Sequence, residues 1–379
     1  MAEQFPAVLV TGARQTGKTS LLRHLYPQAS YLSLDLPANA EAAQTAPERL
    51  LEQYPEPIII DEIQYAPSLL RHLKYRIDRK RIPGQYFLTG SQVFQLMQDV
   101  SESLAGRCAV LTLHTLSRAE LLDAGHPMEE TTYIFRGGYP ELHVGAEADL
   151  WFPAYVATYL ERDVRNILRV IDLQDFNRFI RACALRSSQV LNYSDLARDT
   201  GIAPNTARKW LGLLQTSAIV GLLEPYYGNR TKRLIKAPKL VFADTGLAAF
   251  LSGFRSEKEL FASSMTRAFW ESHVSGQIIR LAASQGGATS IHYWRTANGP
   301  EVDLVIEQAG EAVMAVECKW KEHPDIADAA GLRALAEAEK GRVKERYVVC
   351  RTNVTYKLTD GSWVMNLSEF LKNLRNSKL

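Results

Sequence analysis

A multidomain α/β fold is what this sequence predicts, and three stretches predict it. A glycine-rich loop, Gly12-Ala13-Arg14-Gln15-Thr16-Gly17-Lys18-Thr19, lies between the apolar run 7–10 and the helix-like segment 20–25. Pro57-Ile58-Ile59-Ile60-Asp61-Glu62 is β-branched up to its two carboxylates, the pattern of a strand buried on both faces of a parallel sheet that ends at a ligand crevice. In the last third, a helix carrying Phe269-Trp270-Glu271 precedes three strand candidates at 291–295, 302–307 and 312–318. With 379 residues, 46% of them hydrophobic, the chain has room for two or three domains, predicted here at 1–125, 126–255 and 256–379.

The glycine loop comes first. Strand, glycine turn and helix N-terminus together aim backbone N–H groups at a phosphate, which marks a nucleoside triphosphate site. Its candidate contacts are Gly12, Ala13, Arg14, Gln15, Thr16, Gly17, Lys18, Thr19 and Ser20. The glycines admit the backbone angles and the close approach, Lys18 reaches the β- and γ-phosphates as a point charge, and Thr19 places its hydroxyl on Mg²⁺. At the end of the next buried strand, Asp61 is expected to hold that Mg²⁺ through water. Glu62 is expected to orient and deprotonate the water that attacks the γ-phosphate. ATP and Mg²⁺ are therefore the expected cofactors.

Ser30-Tyr31-Leu32-Ser33-Leu34-Asp35 and Gln85-Tyr86-Phe87-Leu88-Thr89-Gly90-Ser91 read as two further strands. An extra strand between the two phosphate-site motifs, a glutamate after the aspartate and a polar residue closing the next strand resemble the AAA+ ATPases. The resemblance implies that Thr89 and Ser91 are sensors bridging the γ-phosphate and the attacking water; a Thr-Gly-Ser turn after a strand is the other reading. It also gives Arg107, just ahead of the strand-like 109–113, the position of a finger reaching into a neighbour's site. That implies a homo-oligomer, with a ring as one form, against the alternative of a solvated arginine favoured by a helix C-terminus.

Composition sets outer bounds. No apolar run reaches the ~20 residues needed to span a bilayer, and the N-terminus enters a strand without a signal peptide's charged and apolar regions. A cytoplasmic protein without membrane contact is expected. Cys108, Cys183, Cys318 and Cys350 are far apart with no C-x-x-C pair, so neither a disulfide framework nor a zinc site is indicated. The net charge of +2 does not by itself indicate nucleic acid, so any basic surface must be local.

One such surface lies in the middle of the chain. Leu191-Asn192-Tyr193-Ser194-Asp195-Leu196-Ala197 starts a helix with Ser194 as its cap. Gly201-Ile202-Ala203-Pro204 then turns into a second helix at 205–214, with Ala207, Leu211 and Leu214 as its buried side. This is helix-turn-helix spacing, and the polar side carries Asn205, Arg208 and Lys209. A hairpin-like stretch follows with five basic residues within ten: Arg230, Lys232, Arg233, Lys236 and Lys239. Beside Tyr226 and Tyr227 they read as the wing of a winged helix gripping DNA phosphates, with a lid or a protein contact as the alternative.

At the strand ends of the last third, Glu301-Val302-Asp303 is followed by Glu317-Cys318-Lys319. Residues i and i+2 of a strand share a side, so Glu317 and Lys319 project together and can face Asp303 on the adjacent strand. The set resembles the D…E-x-K site of the restriction-endonuclease-like fold, archaeal junction resolvases included, with Glu271 as an added acidic ligand. That resemblance implies one or two Mg²⁺ on Asp303 and Glu317 and a lysine that positions hydroxide. Alternating charges on an exposed strand face are the other reading, and cleavage and mere DNA gripping both stay open.

The series as a whole resembles the bacterial and archaeal ATPases whose AAA domain is followed by the domain of unknown function DUF4143. It comprises Gly12 to Thr19, Ile60-Asp61-Glu62-Ile63-Gln64, Leu88-Thr89-Gly90-Ser91, Phe135-Arg136-Gly137-Gly138-Tyr139-Pro140-Glu141-Leu142, Glu161-Arg162-Asp163-Val164, Asn229-Arg230-Thr231-Lys232-Arg233, Ala243-Asp244-Thr245-Gly246-Leu247, Tyr293-Trp294-Arg295-Thr296 and Glu301-Val302-Asp303. Members resemble this chain only after a further N-terminal segment that often frames the adenine. Gly138 and Pro140 resemble the glycine-proline motif with which related signal-transduction ATPases touch the nucleotide; a tight turn is the alternative. The expectation is a Mg²⁺-dependent ATPase acting on duplex or branched DNA, its rival a nucleotide-switched regulatory or defence ATPase whose later domains bind protein.

Overall fold

The computed structural model describes residues 1–90, 100, 102–160, 173–227, 237–285, 289–296, 299–308 and 311–376. Ser91, Arg230, Lys232, Arg233 and Lys236 lie outside the described residues, as do the motifs at 161–164 and 229–233. The chain divides into two units. The first comprises Met1–Thr115, Tyr139–Glu141 and Leu213–Ile219; the second comprises Leu116–Gly138, Leu142–Gly212 and Val220–Leu379.

In the first unit, β1 (Ala7–Thr11), β2 (Ser30–Ser33), β3 (Ile58–Asp61), β4 (Tyr86–Thr89) and β5 (Cys108–Thr112) form one sheet in the order β2-β3-β4-β1-β5. Every pairing in it is parallel. Strand side chains alternate between faces, so one face gathers Ala7, Leu9, Ile58 and Ile60 with Leu69, Leu70, Leu73 and Ile77 of the helix Leu69–Arg79. The other face packs Val8, Val10, Ile59 and Phe87 on Leu22 of the helix Lys18–Leu25. Burial on both sides explains why β1 and β3 are apolar throughout rather than alternating. The strand inserted between the two motifs, β2, lies at the sheet edge beside β3. Because β1, β4 and β3 are neighbours, their carboxyl ends bring the glycine loop, Thr89 and Asp61 to one crevice.

The second unit contains two sheets. The helices Leu173–Ala184 and Tyr193–Thr200, and the helix Pro204–Thr216 as far as Gly212, accompany a three-stranded antiparallel sheet of β6 (Gln189–Val190), β7 (Val220–Leu223) and β8 (Lys239–Phe242), ordered β6-β8-β7. Phe176 and Phe179 meet Trp210 edge-on at ring distances of 5.5 and 5.4 Å, which fastens the first helix to the third. The cap of Tyr193–Thr200 is Asn192 rather than Ser194: its side chain accepts from the amides of Ser194 and Asp195. Ser194 is already inside the helix, and its own amide is one of the two that Asn192 satisfies.

The second sheet follows the helix Thr266–Gln285. Strands β9 (Thr289–Arg295), β10 (Glu301–Gln308) and β11 (Glu311–Cys318) run antiparallel; the helix Ala330–Ala338 then returns the chain to β12 (Glu345–Cys350), parallel to β11. β13 (Tyr356–Lys357) and β14 (Trp363–Asn366) complete the order β13-β14-β12-β11-β10-β9. Leu332 and Leu335 of the connecting helix close over Val302, Val305, Ala315 and Val348. The two sheets are stitched by main chain, the amide of Tyr293 in β9 donating to Glu224 O at 3.2 Å and that of Tyr226 to Tyr293 O at 2.5 Å.

Candidate functional site

The loop after β1 folds on itself. Gly12 (φ 139°), Gln15 (φ 60°) and Gly17 (φ 89°) all take positive φ, the kind of backbone turn from which anion-binding concavities are built. Gly12 has no substitute, because a Cβ there would stand 2.2 Å from Leu113 O. The buried Lys18 ammonium donates to Ala13 O at 2.8 Å and to Gly12 O at 3.2 Å, and Thr16 Oγ1 donates to Ala13 O at 3.0 Å. Thr19 stands in the first turn of the helix that the loop leads into.

Asp61 is the hub of the site. Its Oδ1 accepts from Thr19 Oγ1 at 2.6 Å and from Thr89 Oγ1 at 2.5 Å, while Oδ2 accepts from Tyr31 OH at 2.9 Å. Thr89 also receives the Glu62 amide at 3.0 Å, so one hydroxyl ties together both acidic residues. Glu62 itself is left-handed, at φ 59° and ψ 52°, where a residue with a Cβ is strained. Its carboxylate accepts from Gln64 Nε2. Tyr31 has no signal in the sequence, because it reaches Asp61 only through the β2–β3 register, which pairs Ser33 with Asp61 and leaves Tyr31 two residues along on the same side. Burial, with the Asp61 hydrogen bond and charge, pushes its phenol up to about 12, so it remains a donor at neutral pH.

Other candidates have local partners. Arg107 makes a two-pronged pair with Asp78, Nε to Oδ1 at 2.6 Å and Nη2 to Oδ2 at 3.1 Å. The Gly138 amide donates to Asp244 Oδ2 at 2.8 Å, and a Cβ on Gly138 would stand 2.0 Å from Leu116 O. Asp244 Oδ1 meanwhile caps the helix Thr245–Leu251 through the Leu247 amide, so the motifs around 138 and 244 form one clamp. Pro140 opens the short 3₁₀ helix Pro140–His143. Asn205, Arg208 and Lys209 are exposed, and Arg208 lies 5.0 Å over the Tyr193 ring.

The C-terminal carboxylates do come together. One step beyond the Leu304–Val316 pair, Asp303 and Glu317 face each other across β10 and β11, and Asp303 Oδ2 accepts the Cys318 amide at 2.8 Å. Lys319 Nζ lies 2.5 Å from Glu317 Oε1. Among them stands Lys239, which the sequence pattern assigns to the basic wing. It is instead 1% exposed on β8; its Nζ is 2.7 Å from Glu271 Oε1, 2.6 Å from Glu301 Oε1 and 3.8 Å from Asp303 Oδ1. It cannot grip a phosphate. Burial alone would lower this ammonium, but Glu271, Asp303 and Glu301 outweigh it and hold it above its ordinary value. Burial, with mutual repulsion, raises Glu271 and Asp303, and raises Glu317 to about 8.

Three family models match successive stretches: "AAA domain" over residues 4–122, "Domain of unknown function (DUF8612)" over 129–258 and "Domain of unknown function (DUF4143)" over 267–370. Two uncharacterized proteins, of Mycobacterium tuberculosis and Mycobacterium bovis, are each 32% identical over 309 residues, which is 80% of this chain and 68% of theirs. Among solved structures, the Walker-type ATPase PABY2304 of Pyrococcus abyssi matches 66% of this chain and 91% of its own at 17% identity, with a TM-score of 0.43.

Proposed function

Because the chain belongs to the family of AAA-type ATPases that carry a C-terminal DUF4143 domain, we propose that its ATP hydrolysis is Mg²⁺-dependent and does work on DNA. Lys18 would exchange the carbonyls of Gly12 and Ala13 for the β- and γ-phosphates. Glu62 would take the proton of the attacking water, held in place through the Thr89 hydroxyl that its own amide binds. The Thr19 hydroxyl and the Asp61 carboxylate, hard oxygen donors side by side at 2.6 Å, suit Mg²⁺, which when bound would neutralise phosphate charge.

The DNA half rests on one observation. On the helix Pro204–Thr216, Ala207, Trp210 and Leu211 are buried while Asn205, Arg208 and Lys209 face outward, in a helix–helix–sheet arrangement that supports a winged-helix reading. The order helix, three antiparallel strands, helix, parallel strand supports a restriction-endonuclease-like reading of the last domain. A metal on Asp303 and Glu317 does not fit, because ammonium groups already occupy this cluster. Among the described residues, as their side chains stand with these ammonium groups in place, no group of three or more His, Cys, Asp or Glu could hold a metal ion.

The test is ATP turnover with and without single-stranded, duplex, forked and four-way DNA. Stimulation that disappears in Arg208→Ala/Lys209→Ala is the expected result. Turnover indifferent to every DNA would overturn the DNA half and leave the regulator whose partner is protein.

A further inference from the structure

The geometry points to Lys239 as the resident cation of the C-terminal carboxylate cluster, filling a latent divalent-cation site that no metal occupies in the working protein. The inference does not depend on DNA being the substrate.

Three acidic side chains surround a single point, the Lys239 Nζ: Glu271 Oε1 at 2.7 Å, Glu301 Oε1 at 2.6 Å and Asp303 Oδ1 at 3.8 Å. The two nearer oxygens, at 2.6 and 2.7 Å, stand at the outer edge of a Ca²⁺-like shell of about 2.3–2.6 Å. Tyr293 closes another side, its ring centroid 5.4 Å from the ammonium. Buried carboxylates persist only when paired, and here the pairing is supplied by protein. Asp303 Oδ2 is taken by the Cys318 amide and Glu317 Oε1 by Lys319, while Arg295 Nε stands 3.8 Å from Glu301 Oε2. Among the described residues, Glu317 Oε2, on the adjacent strand β11, is buried with no hydrogen-bond partner. The donors therefore belong to a cation site, and the cation is a side chain.

Mn²⁺ bound per chain can be counted by electron paramagnetic resonance on the full-length protein without nucleotide, so that the phosphate loop contributes none. Wild type should bind no Mn²⁺ that Asp303→Asn removes. Lys239→Ala should gain one Mn²⁺ per chain, absent again in Lys239→Ala/Asp303→Asn, and Mn²⁺ should raise the melting temperature of Lys239→Ala but not of wild type. Wild-type binding abolished by Asp303→Asn would overturn the inference, as would a folded Lys239→Ala protein that gains no ion. If Lys239→Ala fails to fold, the wild-type and Asp303→Asn counts decide the matter by themselves.

Discussion

Glu62 carries the strain of the phosphate-loop site and, in the proposed mechanism, its chemistry as well. A left-handed conformation costs a residue with a Cβ about 1–2 kcal/mol, and it persists here because the Glu62 amide is fixed by Thr89 at 3.0 Å. Two substitutions then part company. Glu62→Gln keeps the shape and should bind ATP normally while hydrolysing it about 10²–10⁴-fold more slowly, the usual range when a general base is removed. Glu62→Gly should hydrolyse as poorly yet melt no lower than Glu62→Gln, since glycine relieves the strain. Phosphate release and thermal melting read both, and normal turnover in Glu62→Gln would remove its role as base. That strain is invisible in the sequence, as is the Tyr31–Asp61 bond, because each depends on neighbouring strands rather than neighbouring residues.

Elements are more legible than residues. The runs at 7–10 and 57–60 announce strands buried on both faces, and they lie inside the parallel sheet with side chains in both cores. The helix pair at Tyr193–Thr200 and Pro204–Thr216 is equally plain from its 3.6-residue pattern. What local pattern cannot report is burial of a charge. Lys239 looks like the end of a basic run, and its partners Glu271 and Glu301 lie 32 and 62 residues on. If the exposed face of Pro204–Thr216 meets DNA, Arg208→Ala/Lys209→Ala should weaken binding to all sequences alike. The slope of log K against log salt should flatten by about 0.9 for each phosphate the protein no longer neutralises. An unchanged slope would turn that face toward protein or solvent.

For the whole molecule, the C-terminal cluster sets a pH dependence. Glu317 is raised from 4.5 to about 8 in the folded protein, so the native state binds its proton more tightly than the unfolded chain does. Its contribution to stability is fully present below the unfolded value and is lost as pH rises through about 8. Urea midpoints should therefore fall over that window in wild type and fall less in Glu317→Gln. Assembly is a separate question, put by Arg107. If it serves a neighbour's site after leaving Asp78, Arg107→Ala and Glu62→Gln proteins should each be nearly inactive and regain activity when mixed. Full activity of Arg107→Ala alone would end the case for shared sites.

The position of Lys239 also decides where this protein can be cut. Sequence boundaries invite excision of 256–379 as an independent piece, yet that piece would carry Glu271, Glu301 and Asp303 away from the Lys239 ammonium that all three face. A fragment beginning at 256 should therefore be recovered poorly folded at neutral pH and improve in acid or with a divalent ion. One beginning ahead of β6, before Gln189, would keep the three-stranded sheet whole and its lysine in place. The boundary of autonomous folding, on this account, lies upstream of the boundary of sequence similarity.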